Sequence, residues 1–150
     1  TARAGGIRSA AALGALLSEG IGDTIRISLA GDPIAEVRAA NELLTSLRLR
    51  DSRGARVIAC PTCGRTTLGV AELAEALEES LADITVPVTV AVMGCVVNGP
   101  GEAEGAEVAI CGGGAGRSAL FIRGERAGTV DDGEALVAVD RAVRELVSGK

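Results

Sequence analysis

The stretch RVIACPTCGRTTLGVAELAEALEESLADITVPVTVAVMGC (Arg56–Cys95) decides the fold of the larger part of this chain. Arg56–Ala59 is a short strand running into Cys60. Val70–Asp83 reads as a helix, because Val70, Leu73, Leu77, Leu81 and Ile84 recur at the spacing that lines one helical stripe. Pro87 introduces a second strand, Val88–Met93. Beyond it, residues 94–106 are a glycine-rich loop. Glu107–Cys111 and Ser118–Arg123 are two further strands joined by Gly112–Gly116. Gly124–Gly128 is a turn, Thr129-Val130 a brief strand, and about Asp132 to Val147 a last helix with Leu136, Val139, Val143 and Leu146 inward. These elements predict an α+β domain, a small mixed β-sheet with helices packed on it.

Working outward in the other direction, Asp51-Ser52-Arg53-Gly54 is a linker by composition. Before it, residues 7–19 read as a helix stopped by Gly20, since glycine accepts the left-handed conformation at a helix end. Thr24–Ala30 (TIRISLA) reads as a strand. Asp32-Pro33 opens another helix, with Asp32 as N-cap and Pro33 in the first turn. Its apolar residues Ile34, Val37, Leu44 and Leu47 fall on one face. A helix–strand–helix unit of this kind suits a parallel α/β architecture.

Composition narrows the chemistry. The core must be built from Val, Leu, Ile and Ala, because Phe121 is the one aromatic residue. There is no histidine, which removes the commonest general base and the commonest metal ligand. Any metal must then be held by Cys, Asp, Glu or backbone groups. Net charge is −5, with residues 1–50 at +1 (six Arg, five acids) and residues 51–150 at −6 (nine basic, fifteen acidic). No basic patch of the kind that binds nucleic acid is visible. No apolar run reaches the length of about 18 residues that a membrane span needs. Arg3 and Arg8 before Ala10–Leu17 imitate a signal peptide, but Ser18-Glu19-Gly20 is a poor cleavage site. A cytoplasmic protein is expected, and the start at Thr1 reads as a fragment or processed chain. Four cysteines in that setting point to metal or redox chemistry, not to a disulfide frame.

Cys60-Pro61-Thr62-Cys63 stands at the end of one strand, and Gly94-Cys95-Val96-Val97-Asn98-Gly99-Pro100-Gly101-Glu102 at the end of another. If those strands are neighbours, their C-terminal ends bring three sulfurs together. The compact glycine loop can then aim backbone N–H groups at cluster sulfides, which tunes a reduction potential. Structural zinc favours two Cys-x-x-Cys pairs, whereas here one pair is followed by single cysteines at 95 and 111. That spacing suits an iron–sulfur cluster better. Two residues compete to be the fourth ligand. Cys111 would give an all-thiolate cluster suited to electron transfer. Glu102 would give a harder, more labile ligand whose iron can open to substrate. The ordinary alternatives are a small buried thiol and an acid near a helix start. A thioredoxin-like dithiol oxidoreductase is a rival reading of the Cys-x-x-Cys, but it leaves Cys95 and its loop unexplained.

The strings CPTCGR (Cys60–Arg65), MGCVVNGPGE (Met93–Glu102) and LLSEGIGDTIRISLAGDP (Leu16–Pro33) together resemble the family of bacterial 4-hydroxy-3-methylbut-2-enyl diphosphate synthases. These are iron–sulfur oxidoreductases of the methylerythritol phosphate pathway to isoprenoids. Order and spacing agree along the whole chain, with 35 positions from Cys60 to Cys95 and seven more to Glu102. The resemblance implies an N-terminal TIM barrel and a C-terminal cluster domain. Residues 1–50 would be the last helix–strand–helix of the barrel, 51–54 a linker and 55–150 the cluster domain. It implies a 4Fe–4S cluster held by Cys60, Cys63, Cys95 and Glu102, with Glu102 also the catalytic position, and leaves Cys111 as a core thiol. The implied reaction is reductive ring opening of 2-C-methyl-D-erythritol 2,4-cyclodiphosphate. Arg26 and Ser28 would contact the diphosphate, chemically a bidentate fork and a hydroxyl donor. Asn98 would lie beside the cluster. Flavodoxin or ferredoxin would be the electron donor, and the whole enzyme a homodimer. Arg117, Arg123 and Arg126 form a local basic group in sequence that could meet an acidic donor. A TIM barrel takes about 250 residues. A chain holding only its last piece is therefore expected to bind the cluster without turning over alone.

Overall fold

The computed structural model describes residues 1–97 and 99–149, with the side chain of Glu102 outside the described set. The chain divides into two compact units, Thr1–Ser52 and Arg53–Lys150.

The first unit holds α1 (Ala2–Ser18) and α2 (Pro33–Ser46). α1 starts five residues earlier than its apolar pattern predicts and stops where expected. Gly20 is left-handed (φ 75°), and the Gly20 and Ile21 N–H groups return to the Leu17 and Leu16 carbonyls at 3.0 Å each. Those two bonds satisfy carbonyls that the helix end leaves without partners. α2 begins as its sequence dictates. The Asp32 side chain accepts from the Ile34 N–H at 2.9 Å, and Pro33 occupies the first turn. Between the helices, the expected strand Thr24–Ala30 is not formed: these residues join no ladder. A strand exists only against a hydrogen-bonded neighbour, and the described residues of this unit contain no other strand. The alternation survives without the pairing. Ile25, Ile27 and Leu29 are sheltered while Thr24, Arg26 and Ser28 are exposed.

The second unit is a five-stranded mixed sheet in chain order: β1 (Ala55–Ala59), β2 (Val88–Met93), β3 (Val108–Gly114), β4 (Arg117–Ile122) and β5 (Glu125–Asp131). β1, β2 and β3 run parallel, and β3–β4–β5 are antiparallel. The β1–β2 crossover contains α3 (Val70–Ser80), as a parallel pair requires. A one-turn helix, α4 (Gly99–Glu102), lies between β2 and β3, where the sequence reads as loop throughout. A 3-10 turn at Asp132–Glu134 leads into α5 (Ala135–Ser148).

Period-two alternation splits the sheet into unlike faces. Val88, Val90 and Val92 of β2 and Val108 and Ile110 of β3 meet Leu77 of α3, Leu81 just after it, and Val139 and Val143 of α5. The opposite face carries Ala91, Met93, Ala109 and Cys111, covered by Ala103 and Ala106 of the segment after α4. The buried Ser118 is satisfied: its hydroxyl donates to Asp132 Oδ1 at 2.6 Å. β5 is longer than the brief strand expected at Thr129-Val130. Arg123 (φ 51°) and Gly124 (φ 81°) alone make the turn, leaving Glu125 paired with Ile122. Gly128, which reads as turn, is paired with Leu120 beside a bulge.

Candidate functional site

Parallel pairing of β1 with β2 decides where the cysteines go. Ala59 is level with Val92, and the Cys60 N–H continues the ladder by donating to the Val92 carbonyl at 3.0 Å. Cys60 therefore leaves its strand as Met93 and Gly94 leave theirs. Cys60, Cys63 and Cys95 line one cavity of about 180 Å³ at the C-terminal ends of these two strands. Cys63 is exposed, whereas Cys60 and Cys95 are half-buried. Among the described residues, no three His, Cys, Asp or Glu side chains form a group able to hold a single metal ion.

Backbone donors point at the sulfurs. The Gly94 N–H donates to Cys60 Sγ at 3.2 Å, and the Arg65 N–H to Cys63 Sγ at 3.5 Å. Donors of this kind withdraw charge from a ligating sulfur and hold it in place. The Cys60–Thr66 loop closes on itself. The Thr66 N–H donates to the Cys63 carbonyl and the Cys63 N–H to Thr66 Oγ1, both at 3.0 Å. Thr67 then ties this loop to the other, its N–H donating to the Gly94 carbonyl at 2.9 Å. Thr66 and Thr67 are the residues that motif reading misses. A sequence signal exists: a threonine three residues after Cys63 is placed to return its hydroxyl to that backbone N–H.

Small residues let the parts approach. A Cβ on Gly99 would lie 2.8 Å from Cys111 Sγ and 3.0 Å from Met93 Cβ, so α4 can start directly over the sheet only with glycine there. A Cβ on Gly112 would lie 2.5 Å from the Gly94 carbonyl oxygen. Cys111 is fully buried on β3 beneath Gly99 and is not one of the described cavity-lining residues. Burial, with smaller contributions from the charges of Cys95 and Cys60, pushes its thiol up to about 11.

Asn98 lies outside the described residues. Glu102 closes α4, seven positions after Cys95, and its side chain is likewise outside them. Arg26 and Ser28 belong to the first unit, on the exposed side of the segment between α1 and α2. That segment is braced by a residue the sequence reading does not single out: Glu36 of α2 accepts from the Leu29 N–H at 2.8 Å. The basic trio is dispersed, not local. Arg117 opens β4 at the cavity end and lies 3.7 Å from Asp131, while Arg123 and Arg126 sit at the far hairpin. A six-residue strand separates them by about 20 Å.

Residues 56–145 match the family model of the GcpE protein C-terminal domain, and residues 1–41 that of the GcpE TIM-barrel domain. The chain is 51% identical over 128 residues to the 4-hydroxy-3-methylbut-2-en-1-yl diphosphate synthase (flavodoxin) of Kocuria rhizophila, covering 85% of this chain and 32% of the relative. The proteins of the same name from Pseudoalteromonas translucida and Geobacter sulfurreducens are 46% and 47% identical over 149 and 146 residues. Those alignments cover 99% and 97% of this chain but 40% and 41% of the relatives. The chain thus spans about a third to two fifths of the length of these relatives.

Proposed function

The chain belongs to the GcpE family, and from that premise we propose that it is the cluster-bearing part of a 4-hydroxy-3-methylbut-2-enyl diphosphate synthase. The observation that carries the reading is the convergence of Cys60, Cys63 and Cys95 on one cavity from the ends of two adjacent parallel strands. The donor set fits a 4Fe–4S cluster: three thiols, two of them already met by backbone N–H groups, in a chain without histidine. Glu102, the last residue of the α4 turn, is the fourth ligand in this proposal. The competing all-thiolate module would need Cys111. That thiol is buried under Gly99, and this favours Glu102.

In this reading residues 55–150 are the cluster domain, 51–54 a linker and 1–50 the closing piece of a TIM barrel. The substrate is 2-C-methyl-D-erythritol 2,4-cyclodiphosphate and the reaction its two-electron reductive ring opening with loss of a hydroxyl. When bound, the cluster supplies the electrons and an iron site open to an oxygen of the substrate. The protein's own part is positional. Cys60, Cys63 and Cys95 would hold the cluster through their thiolates. Glu102, a harder oxygen ligand, leaves the fourth position exchangeable. Arg26 and Ser28 offer a guanidinium fork and a hydroxyl to the diphosphate, and Glu36 holds the segment that presents them. Asn98 is proposed as a donor beside the cluster. The electron donor is flavodoxin or ferredoxin, and the intact enzyme a cytoplasmic homodimer. No helix among the described residues is long and apolar enough to cross a membrane.

Anaerobic reconstitution with iron and sulfide tests the proposal. About four of each should be taken up per chain. Cys95→Ala should abolish uptake, Glu102→Ala should leave a labile cluster, and Cys111→Ala should change little. A Glu102→Ala protein that behaves as the parent, with a Cys111→Ala protein that binds no iron, would reverse the assignment of the fourth ligand. The chain alone should show no ring-opening activity.

A further inference from the structure

We infer that Thr66 is a positioning residue of the cluster site, its hydroxyl pinning the Cys63 loop and donating its own proton to a sulfur of the bound cluster. The inference rests on the reading of Cys60, Cys63 and Cys95 as ligands and goes beyond it, since no part of that reading requires a particular residue at 66.

Three observations meet at this side chain. First, Thr66 Oγ1 accepts the Cys63 N–H at 3.0 Å while the Thr66 N–H donates to the Cys63 carbonyl at 3.0 Å. The residue thus grips the second ligand cysteine at both backbone groups. Second, Thr66 packs face to face with the turn that carries the third. A Cβ on Gly94 would lie 2.7 Å from Thr66 Oγ1 and 2.9 Å from its Cγ2. The two loops touch there, and the Thr67 N–H seals the contact at the Gly94 carbonyl. Third, Thr66 lines the same cavity as the three cysteines.

A hydroxyl has one proton and two lone pairs. The Cys63 N–H occupies a lone pair, and the proton has no acceptor among the described residues. In a cavity lined by sulfur, a bound cluster is the acceptor at hand. Hydrogen bonds to cluster sulfurs stabilise the reduced, more negative state and raise the reduction potential. The methyl group meanwhile fills the space that Gly94 leaves. Thr66 therefore links loop geometry to redox poise, acting through Cys63 and the cluster.

The test compares Thr66→Val, isosteric but without the hydroxyl, with Thr66→Ser, which keeps it, in the intact protein reconstituted anaerobically with iron and sulfide. Midpoint potential is read by redox titration of the cluster's spectrum, and cluster retention by the rate of iron release to a chelator. The expected result is a more negative potential or at least a several-fold faster iron release in Thr66→Val, with Thr66→Ser near the parent in both. Failure of Thr66→Val to hold any cluster, with Thr66→Ser loaded as the parent, is the extreme of the same outcome. Parent values in Thr66→Val would overturn the inference and leave the ligand assignment standing. A Thr66→Ser protein as impaired as Thr66→Val would also overturn it, by assigning the effect to the methyl group. If the parent itself takes up no iron and sulfide, the reading of the cavity falls first and the inference with it.

Discussion

The two faces of the sheet use the same strands for opposite purposes. Toward α3 and α5, β2 and β3 present Val88, Val90, Val92, Val108 and Ile110, and the contact is filled with large branched side chains. Toward the segment after α4 they present Ala91, Met93, Ala109 and Cys111, met by Ala103 and Ala106. Burial is nearly complete on both, but the volume per residue is not. The branched face supplies stability, because each large side chain removes more apolar surface from water. The small-residue face supplies proximity. It lets backbone approach so closely that no side chain would fit between, at Gly99 over Cys111, at Gly112 against the Gly94 carbonyl and at Gly94 against Thr66. The lesson is that in this fold stability and site geometry are separable, one to each side of a single sheet.

Truncating the branched face should give the largest loss of stability. Leu77 is fully buried between α3 and the sheet. Leu77→Ala should cost about 4 kcal/mol in denaturant unfolding, while the protein that remains folded takes up iron and sulfide normally. Loss of uptake in the folded fraction would break the division between the faces. Enlarging the small-residue face should do the reverse. In Gly112→Ala the new methyl meets the Gly94 carbonyl and Thr67 Oγ1, neither of which can retreat without disturbing the cysteine-bearing loops. The expected cost is about 2–3 kcal/mol, with cluster uptake lost out of proportion to stability, measured as iron per folded chain.

Cys111 sharpens the comparison further. Its folded pKa, about 11, is raised above the ordinary value of 9.0. The folded state therefore holds this proton more tightly than the unfolded state does. The associated stability is fully present below pH 9 and is lost as pH rises toward 11. Cluster-free Cys111→Ala protein should show a flatter alkaline limb in unfolding against pH, and native Cys111 should resist alkylation at pH 8 while Cys63 reacts. The smallest effect is expected at the surface of the helical layer. Arg144 of α5 joins Asp83 at 2.9 Å and Asp140 at 2.9 Å. Hydrogen bonds from Arg144 hold both carboxyls below their ordinary range, with Ser80 adding to the effect at Asp140. Here the folded pKa is depressed, so the contribution is present above about pH 4 and lost as pH falls through the folded values. Arg144→Gln should flatten this acid limb, read as Tm against pH, and leave the cavity unaffected.

Much of this was legible from residues alone, and the failures share a cause. Val88–Met93 announces itself because Pro87 marks its start and alternating valines fill it. Asp32-Pro33 announces α2 because capping is local chemistry. Thr24–Ala30 has an equally good strand pattern and forms no ladder, since pairing depends on a neighbour that no local pattern encodes. β5 was obscured by Gly124 and Gly128, which look alike in sequence although only the first makes a turn. At the site, the cysteines are visible because their chemistry is rare. Thr66, Thr67 and Glu36 are not, because threonine and glutamate are common and their work lies in partners set by the fold. Arg117, Arg123 and Arg126 are close in number but parted by the length of a strand.

The sheet's chain-order arrangement has a kinetic consequence. Every strand pairs with its sequence neighbour, but the β3–β4 and β4–β5 hairpins close tight turns, whereas the parallel β1–β2 and β2–β3 pairs need long crossovers and form more slowly. The first β-α-β segment to emerge already carries three thiols at one end. The three thiols therefore meet only when this slow parallel pairing has closed, after the hairpin half of the sheet has set.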